Sequence, residues 1–130
     1  MMLGFPIALQ FLTVIPVRIR AAFGGPELAR AMAWFPVVGA LLGLLAAGVL
    51  VGWTRFVGPG AAAAVAVAVL AVVTGGLHLD GVADLADALG SHKSREEKLR
   101  IMDDSRIGAM GAATVALVLI LKVALIASLP

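Results

Sequence analysis

From Ala31 to Thr54 the sequence runs without a charged residue. That is long enough for a membrane-spanning helix, which needs about 20 predominantly apolar residues. Two later runs behave similarly: Ala61 to Leu77, rich in Ala and Val, and Ile107 to Leu129, interrupted by Lys122. Apolar residues make up 62% of the 130-residue chain, against roughly 45–50% in soluble domains. The excess lies in the uncharged runs, so it implies lipid contact rather than a larger core. The pattern predicts an all-α, polytopic helical membrane protein. It forms a single membrane domain over 1–130, with transmembrane helices at 31–54, 58–78 and 107–129.

The ends of the first span support its placement. Trp34 and Trp53 lie near its two ends, where indoles favour the membrane interface. Gly39, Gly43 and Ala47 recur every four residues, as do Gly48 and Gly52. That spacing lets another helix approach closely in lipid, and it fits packing without a functional role. Residues 1–30 are predicted to form an N-terminal interfacial or re-entrant segment. Its apolar part, Met1 to Val17, contains Pro6 and Pro16 and is short for a straight span; a strongly tilted short span and a plain N-terminal anchor are the alternatives. Arg18 and Arg20 follow the apolar run, whereas a secretory signal carries its positive charge before it. Ala21 to Arg30 reads as a polar connection.

Seven of the eight acidic residues fall between Thr74 and Gly111: Asp80, Asp84, Asp87, Glu96, Glu97, Asp103 and Asp104. Five of the ten basic residues are there as well: Lys93, Arg95, Lys98, Arg100 and Arg106. The loop between the last two spans therefore carries five Lys and Arg. The turn at Arg55 carries one, and Arg18, Arg20 and Arg30 precede the first span. With three spans, the two basic clusters share one side, which the positive-inside rule makes cytoplasmic. Segment 79–106 is thus expected to be a cytoplasmic, Asp-rich helix and loop. The formal net charge is only +2, and no basic patch is interleaved with aromatic residues, so nucleic acid is not an expected partner. The absence of Cys excludes thiolate metal sites and Cys nucleophiles, and the absence of Tyr excludes a phenolic acid or base.

Asp80, Asp84 and Asp87 are spaced i, i+4, i+7 and share an arc of roughly 60° on a helix. Three carboxylates on one stripe repel one another unless a cation sits among them. Oxygen donors favour Mg²⁺ or Mn²⁺, and such an ion shares its coordination with water and substrate phosphates. Asp103 and Asp104 follow a charged segment and can return to complete the site. Arg106 offers a bidentate phosphate contact. Solvated loop acids are the plain alternative, but these begin at the end of an apolar helix on one face. Glu96 and Arg100 fit an ordinary i, i+4 pair on a solvated helix. His78 falls opposite the stripe, so a hydrogen bond or a substrate contact suits it better than metal. Gly75 and Gly76 permit a kink or a close approach to a ligand, and Gly108 and Gly111 permit the same at the start of the last span. Lys122 either snorkels to the far interface or faces a polar cavity.

TGGLHLDGVADLADALGS followed by IMDDSRIGAMG resembles the cobalamin synthase family, the adenosylcobinamide-GDP ribazoletransferases. FLTVIPVR, WFPVVGALLG and the LILKVAL around Lys122 resemble it as well, so the likeness spans nearly the whole chain. The resemblance implies an Mg²⁺-dependent enzyme of the inner membrane. Such an enzyme joins adenosylcobinamide-GDP to α-ribazole or its 5′-phosphate, giving adenosylcobalamin or its phosphate and GMP. It implies metal ligands at Asp80, Asp84, Asp87 and Asp104, with Asp87 or Asp104 accepting the hydroxyl proton. It places His78, Gly81, Ser105, Arg106 and Lys122 at the substrate. Asp103 falls where the family usually has a basic or neutral residue, and Ala109 where Thr is common. Family members are roughly twice as long, so the chain reads as an N-terminal half that works beside a second half or as a homo-oligomer. Two other readings are weighed. A CDP-alcohol phosphotransferase shares the carboxylate spacing but lacks its Asp-Gly-x-x-Ala-Arg signature here. A divalent-cation transporter or binding subunit needs carboxylates at mid-membrane depth.

Overall fold

The computed structural model describes residues 3–17 and 24–129, and its regular elements are all helical. The chain divides into two compact units, residues 1–75 and 76–130. Arg18 and Arg20, which the topology reading uses, lie outside the described residues.

In the first unit α1 (Gly4–Leu12) packs against α2 (Gly25–Ala31), a 3-10 turn (Met32–Trp34) and α3 (Phe35–Trp53), while α3 pairs with α4 (Pro59–Val73). Nine residues of α1 reach about 14 Å, too short to cross a hydrocarbon core of roughly 30 Å. Its apolar face supplies Ile7, Ala8 and Leu12 to a core completed by Ala31 and Val38. Phe5, Leu9, Leu28, Phe35 and Leu42 cover that core. Two aromatic pairs add to it: Phe5 meets Trp34 edge-on at 5.7 Å, and Phe11 stacks on Phe35 at 5.6 Å. The chain leaves α1 extended. The Val14 N–H then donates to the Val73 carbonyl at 2.8 Å, satisfying one of the acceptors that a helix C-terminus leaves without an internal partner.

Helical structure starts earlier than the connection expected over 21–30. Pro26 sits in the first turn of α2, where its missing N–H costs nothing, and the Glu27 carboxylate accepts from the Gly24 N–H at 3.0 Å. The helical path then runs on to Trp53, 29 residues in all. Pro36 explains the 3-10 turn inside it. Proline has no N–H to give the carbonyl four residues back, and its ring crowds that carbonyl.

Two helical stretches are long and apolar enough to cross a membrane, Gly25–Trp53 and Ala109–Ala127. A third is reached if α4 and α5 (Leu77–Gly90) count as one broken span. With 15 residues, α4 alone reaches about 22 Å. The second unit consists of α5, α6 (Arg95–Met102) and α7 (Ala109–Ala127), with α5 packed on both of the others. Most of the α7 surface is exposed and apolar, including Leu117, Ile120, Leu121 and Leu125. In water such a face would be a liability, and in lipid it is the expected exterior.

Candidate active site on α5 and the loop before α7

Gly75 and Gly76 have φ of +60° and +72°, a left-handed pair that ends α4 and opens α5. The break expected there is present, and it gives the acidic segment a helix of its own. Along α5 the Asp stripe forms one face. Asp80 is exposed, and Asp84 and Asp87 are half-buried. Ala83 and Ala88 are buried.

The three carboxylates differ in their surroundings. Asp87 Oδ2 accepts from the Gly108 N–H at 2.7 Å, and Oδ1 accepts from the Gly111 N–H at 2.8 Å. Asp80 and Asp84 have no side-chain hydrogen-bond partner among the described residues. Gly108 and Gly111 were expected to give a ligand close backbone approach or to allow a kink. What approaches them is the Asp87 carboxylate. A Cβ on Gly108 would collide with Asp87 Oδ1, and one on Gly111 would collide with Oδ2 and lie 2.9 Å from the Ala83 carbonyl. Helix α7 therefore meets α5 at backbone distance.

Between these helices the chain is locally well specified. Ser91 Oγ–H donates to the Ala88 carbonyl at 2.7 Å, and His92 takes a left-handed φ of 51° just past the end of α5. Ser94 caps α6: its Oγ accepts from the Glu97 N–H at 3.3 Å, and the Glu97 carboxylate accepts from the Ser94 N–H at 3.2 Å. Asp104 and Arg106 then form the one ion pair among the described residues. Arg106 Nη2 donates to Asp104 Oδ2 at 2.6 Å, its Nε donates to both carboxylate oxygens at 3.0 and 3.1 Å, and its backbone N–H donates to Oδ1 at 3.1 Å. The Arg106 guanidinium holds the Asp104 carboxyl below the usual carboxylate range and is itself raised by that carboxylate. Arg106 is 86% exposed and Asp104 36%. The pair is thus wet and exchangeable, not a buried strut. Glu96 and Arg100, one turn apart on α6, are not paired.

His78 and Gly81 are exposed on the first turns of α5, Ser105 is exposed on the loop, and Lys122 is exposed on α7. Two groupings expected from the sequence are therefore sorted out: Asp87 goes to the α7 amides, and Asp104 goes to Arg106. Among the described residues no three His, Asp or Glu side chains come together as a metal cage. Asp80 and Asp84 remain as an oxygen-only pair one turn apart. That donor set suits Mg²⁺, which takes one or two carboxylates and fills its other positions with water and phosphate oxygens. The sequence signal for the Asp87 contact was weak, because partners 21 and 24 residues away leave no periodic trace.

The model of the family described as "CobS: Cobalamin-5-phosphate synthase" matches residues 4–130. A relative from Herpetosiphon aurantiacus named adenosylcobinamide-GDP ribazoletransferase is 46% identical over 115 residues, covering 88% of this chain and 46% of the relative. Proteins of the same name from Shewanella amazonensis and a Polaromonas species are 46% and 47% identical, covering 96% and 95% of this chain and 48% and 47% of theirs. The chain spans about half the length of the curated relatives it matches. No solved structure matches it significantly. With the match running from the first turn of α1 through α7 and across the whole acidic site, the chain belongs to the cobalamin-5-phosphate synthase family.

Proposed function

We propose that this chain carries the phosphate-handling site of an Mg²⁺-dependent adenosylcobinamide-GDP ribazoletransferase of the inner membrane, with α5 and the following loop on the cytoplasmic side. One observation carries the reading. Asp80 and Asp84 stand one turn apart, without side-chain partners among the described residues, on a helix whose connecting loop ends in the bidentate Asp104–Arg106 pair. Carboxylates for a divalent cation and an exposed guanidinium for phosphate are the two things a diphosphate substrate needs.

In the proposed reaction a hydroxyl oxygen of α-ribazole, or of its 5′-phosphate, attacks the phosphorus on the cobinamide side of the diphosphate. A new P–O bond forms, the P–O bond to the guanylate breaks, and GMP leaves with the bridging oxygen. Asp80 and Asp84 would hold Mg²⁺, which when bound would offset the charge gathering on the phosphate oxygens. Arg106 exchanges its carboxylate partner for a phosphate oxygen as substrate enters, the exchange its exposure permits. Released from the guanidinium, Asp104 becomes more basic and accepts the hydroxyl proton. His78 and Ser105 offer hydrogen bonds to the nucleotide, Gly81 leaves an unobstructed approach beside Asp80, and Lys122 contributes a further cation to the substrate. The family match favours this reading over a lipid phosphotransferase or a cation transporter.

The test is turnover in nanodiscs. Adenosylcobinamide-GDP, α-ribazole phosphate and Mg²⁺ are combined and GMP release is followed. Mg²⁺-dependent release abolished by Asp84→Asn is the expected result. A folded chain that neither releases GMP nor binds adenosylcobinamide-GDP in an Mg²⁺-dependent way refutes it.

A further inference from the structure

Helix α7 has no cap of its own. Its N-cap position is Gly108, in extended backbone, with no side chain to accept from the first-turn amides. The following residues, Ala109 and Met110, supply no acceptor either. Ser, Thr, Asp or Asn usually fills that role from within the helix. Here Asp87 fills it from α5: one oxygen goes to the N–H of Gly108, the other to that of Gly111, and the charge sits at the positive end of the helix dipole. The fit demands glycine at both positions. The three atoms nearest a Cβ on Gly108 would all belong to the Asp87 carboxylate, whereas one on Gly111 would also meet the Ala83 carbonyl.

The consequence reaches the loop. Arg106 is two residues before Gly108, and Asp104 is four residues before it. Fixing the Gly108 amide to α5 fixes the end of the segment that carries both side chains. Helix α5 presents Asp84 one turn and Asp80 two turns before Asp87 on the same face. A shift of about 1 Å in such a constellation costs catalysis on the order of a hundredfold.

We propose that Asp87 is a positioning residue. It clasps α7 to α5 and so holds Asp104 and Arg106 in register with Asp80 and Asp84, and it is not itself a metal ligand. The clasp stands on the geometry alone, while its effect on turnover rests on the function proposed above.

The test uses the full chain in nanodiscs and has two parts. The first needs no activity. Hydrogen exchange of ¹⁵N-glycine amides is followed in the unmodified chain, in Asp87→Asn and in Asp87→Ser, and thermal unfolding is followed in Gly108→Ala with and without Asp87→Ser. Gly108 and Gly111 are expected to be protected in the unmodified chain and to lose protection together in Asp87→Ser. Asp87→Asn keeps the shape but turns one acceptor into a donor, so at least one of the two amides loses protection. Gly108→Ala is expected to destabilise the parent chain and to do so much less beside Asp87→Ser, where the obstructing carboxylate is gone. Additive losses in that cycle, or glycine amides unprotected in the unmodified chain, overturn the clasp even if no variant folds well. The second part separates positioning from metal binding. Asp87→Asn and Gly108→Ala are both expected to lower kcat by about a hundredfold, with the Mg²⁺ concentration for half-maximal nucleotide binding unchanged. A rise in that concentration for Asp87→Asn but not for Gly108→Ala makes Asp87 a ligand and overturns the proposal. Full kcat in folded variants makes the contact merely structural and overturns it too. If the unmodified chain does not turn over, the proposed function fails, while the exchange and unfolding results still decide the clasp.

Discussion

The turn at Gly75 and Gly76 offers a test in which two kinds of cost can be separated. Gly75→Ala places a Cβ at φ +60°, where an L side chain costs roughly 1–2 kcal/mol. The same Cβ would lie 2.8 Å from Val14 Cγ1, well inside the 3.5–4.0 Å of ordinary carbon contacts. Val14 cannot simply retreat. Its N–H is bonded to the Val73 carbonyl at 2.8 Å, and its β-branched side chain is stiff at χ1. Overpacking of this kind adds about 1–3 kcal/mol, for a total of about 2–5 kcal/mol. In a Val14→Ala background the steric part disappears and the backbone part remains, so the cost falls to roughly 1–2 kcal/mol. Gly76→Ala serves as an internal control. It has φ +72° but nothing within 4 Å of its Cβ, so it is expected to cost only the backbone part in either background. Reversible unfolding in mixed micelles, read by helical circular dichroism across the double-mutant cycle, measures each quantity. Equal costs for Gly75→Ala with and without Val14→Ala would refute the steric half of the reasoning.

Other outcomes follow from the same structure. Ile7→Ala, at a side chain 1% exposed in the core around α1, is expected to destabilise the first unit by about 2–5 kcal/mol in the same unfolding assay. His92→Gly relieves a left-handed φ of 51° just beyond α5 and is expected to raise stability by about 1 kcal/mol, read as a shift in the unfolding midpoint. The Asp104 carboxyl is held low by Arg106, so the contribution of the pair is complete above the unfolded carboxyl value of about 3.9 and is lost as pH falls through the lower folded value. Arg106→Ala is therefore expected to move the Asp104 midpoint upward, toward the ordinary carboxylate range, in a carbon-13 carboxyl titration. An unmoved midpoint would mean that the pair does not persist in the membrane-bound protein.

Much of the architecture was legible because lipid imposes a simple rule: long uncharged runs become helices exposed on nearly every side. Hydropathy alone therefore located the runs that became α3, α4 and α7, and the i, i+4, i+7 spacing placed Asp80, Asp84 and Asp87 on one face of a helix. It was also legible that Gly75 and Gly76 break the chain before that helix, since two adjacent glycines in an apolar run have few other uses. Local chemistry was less visible where it opposed composition. Gly24, Pro26 and Glu27 look like a polar connection but start a helix, because Pro suits the first turn and Glu27 caps the Gly24 amide.

What each carboxylate does was beyond local pattern. Three aspartates on one face are equivalent by periodicity, yet among the described residues it is Asp87 that meets the amides of Gly108 and Gly111, and Asp104 that meets Arg106. A hydrogen bond across 21 or 24 residues depends on how α7 returns to α5, and that return brings Gly111 close against the Ala83 carbonyl. Sequence spacing fixes which side chains share a helix face. Only the approach of a second helix decides which of them remain open to a ligand and which are consumed in holding the fold together.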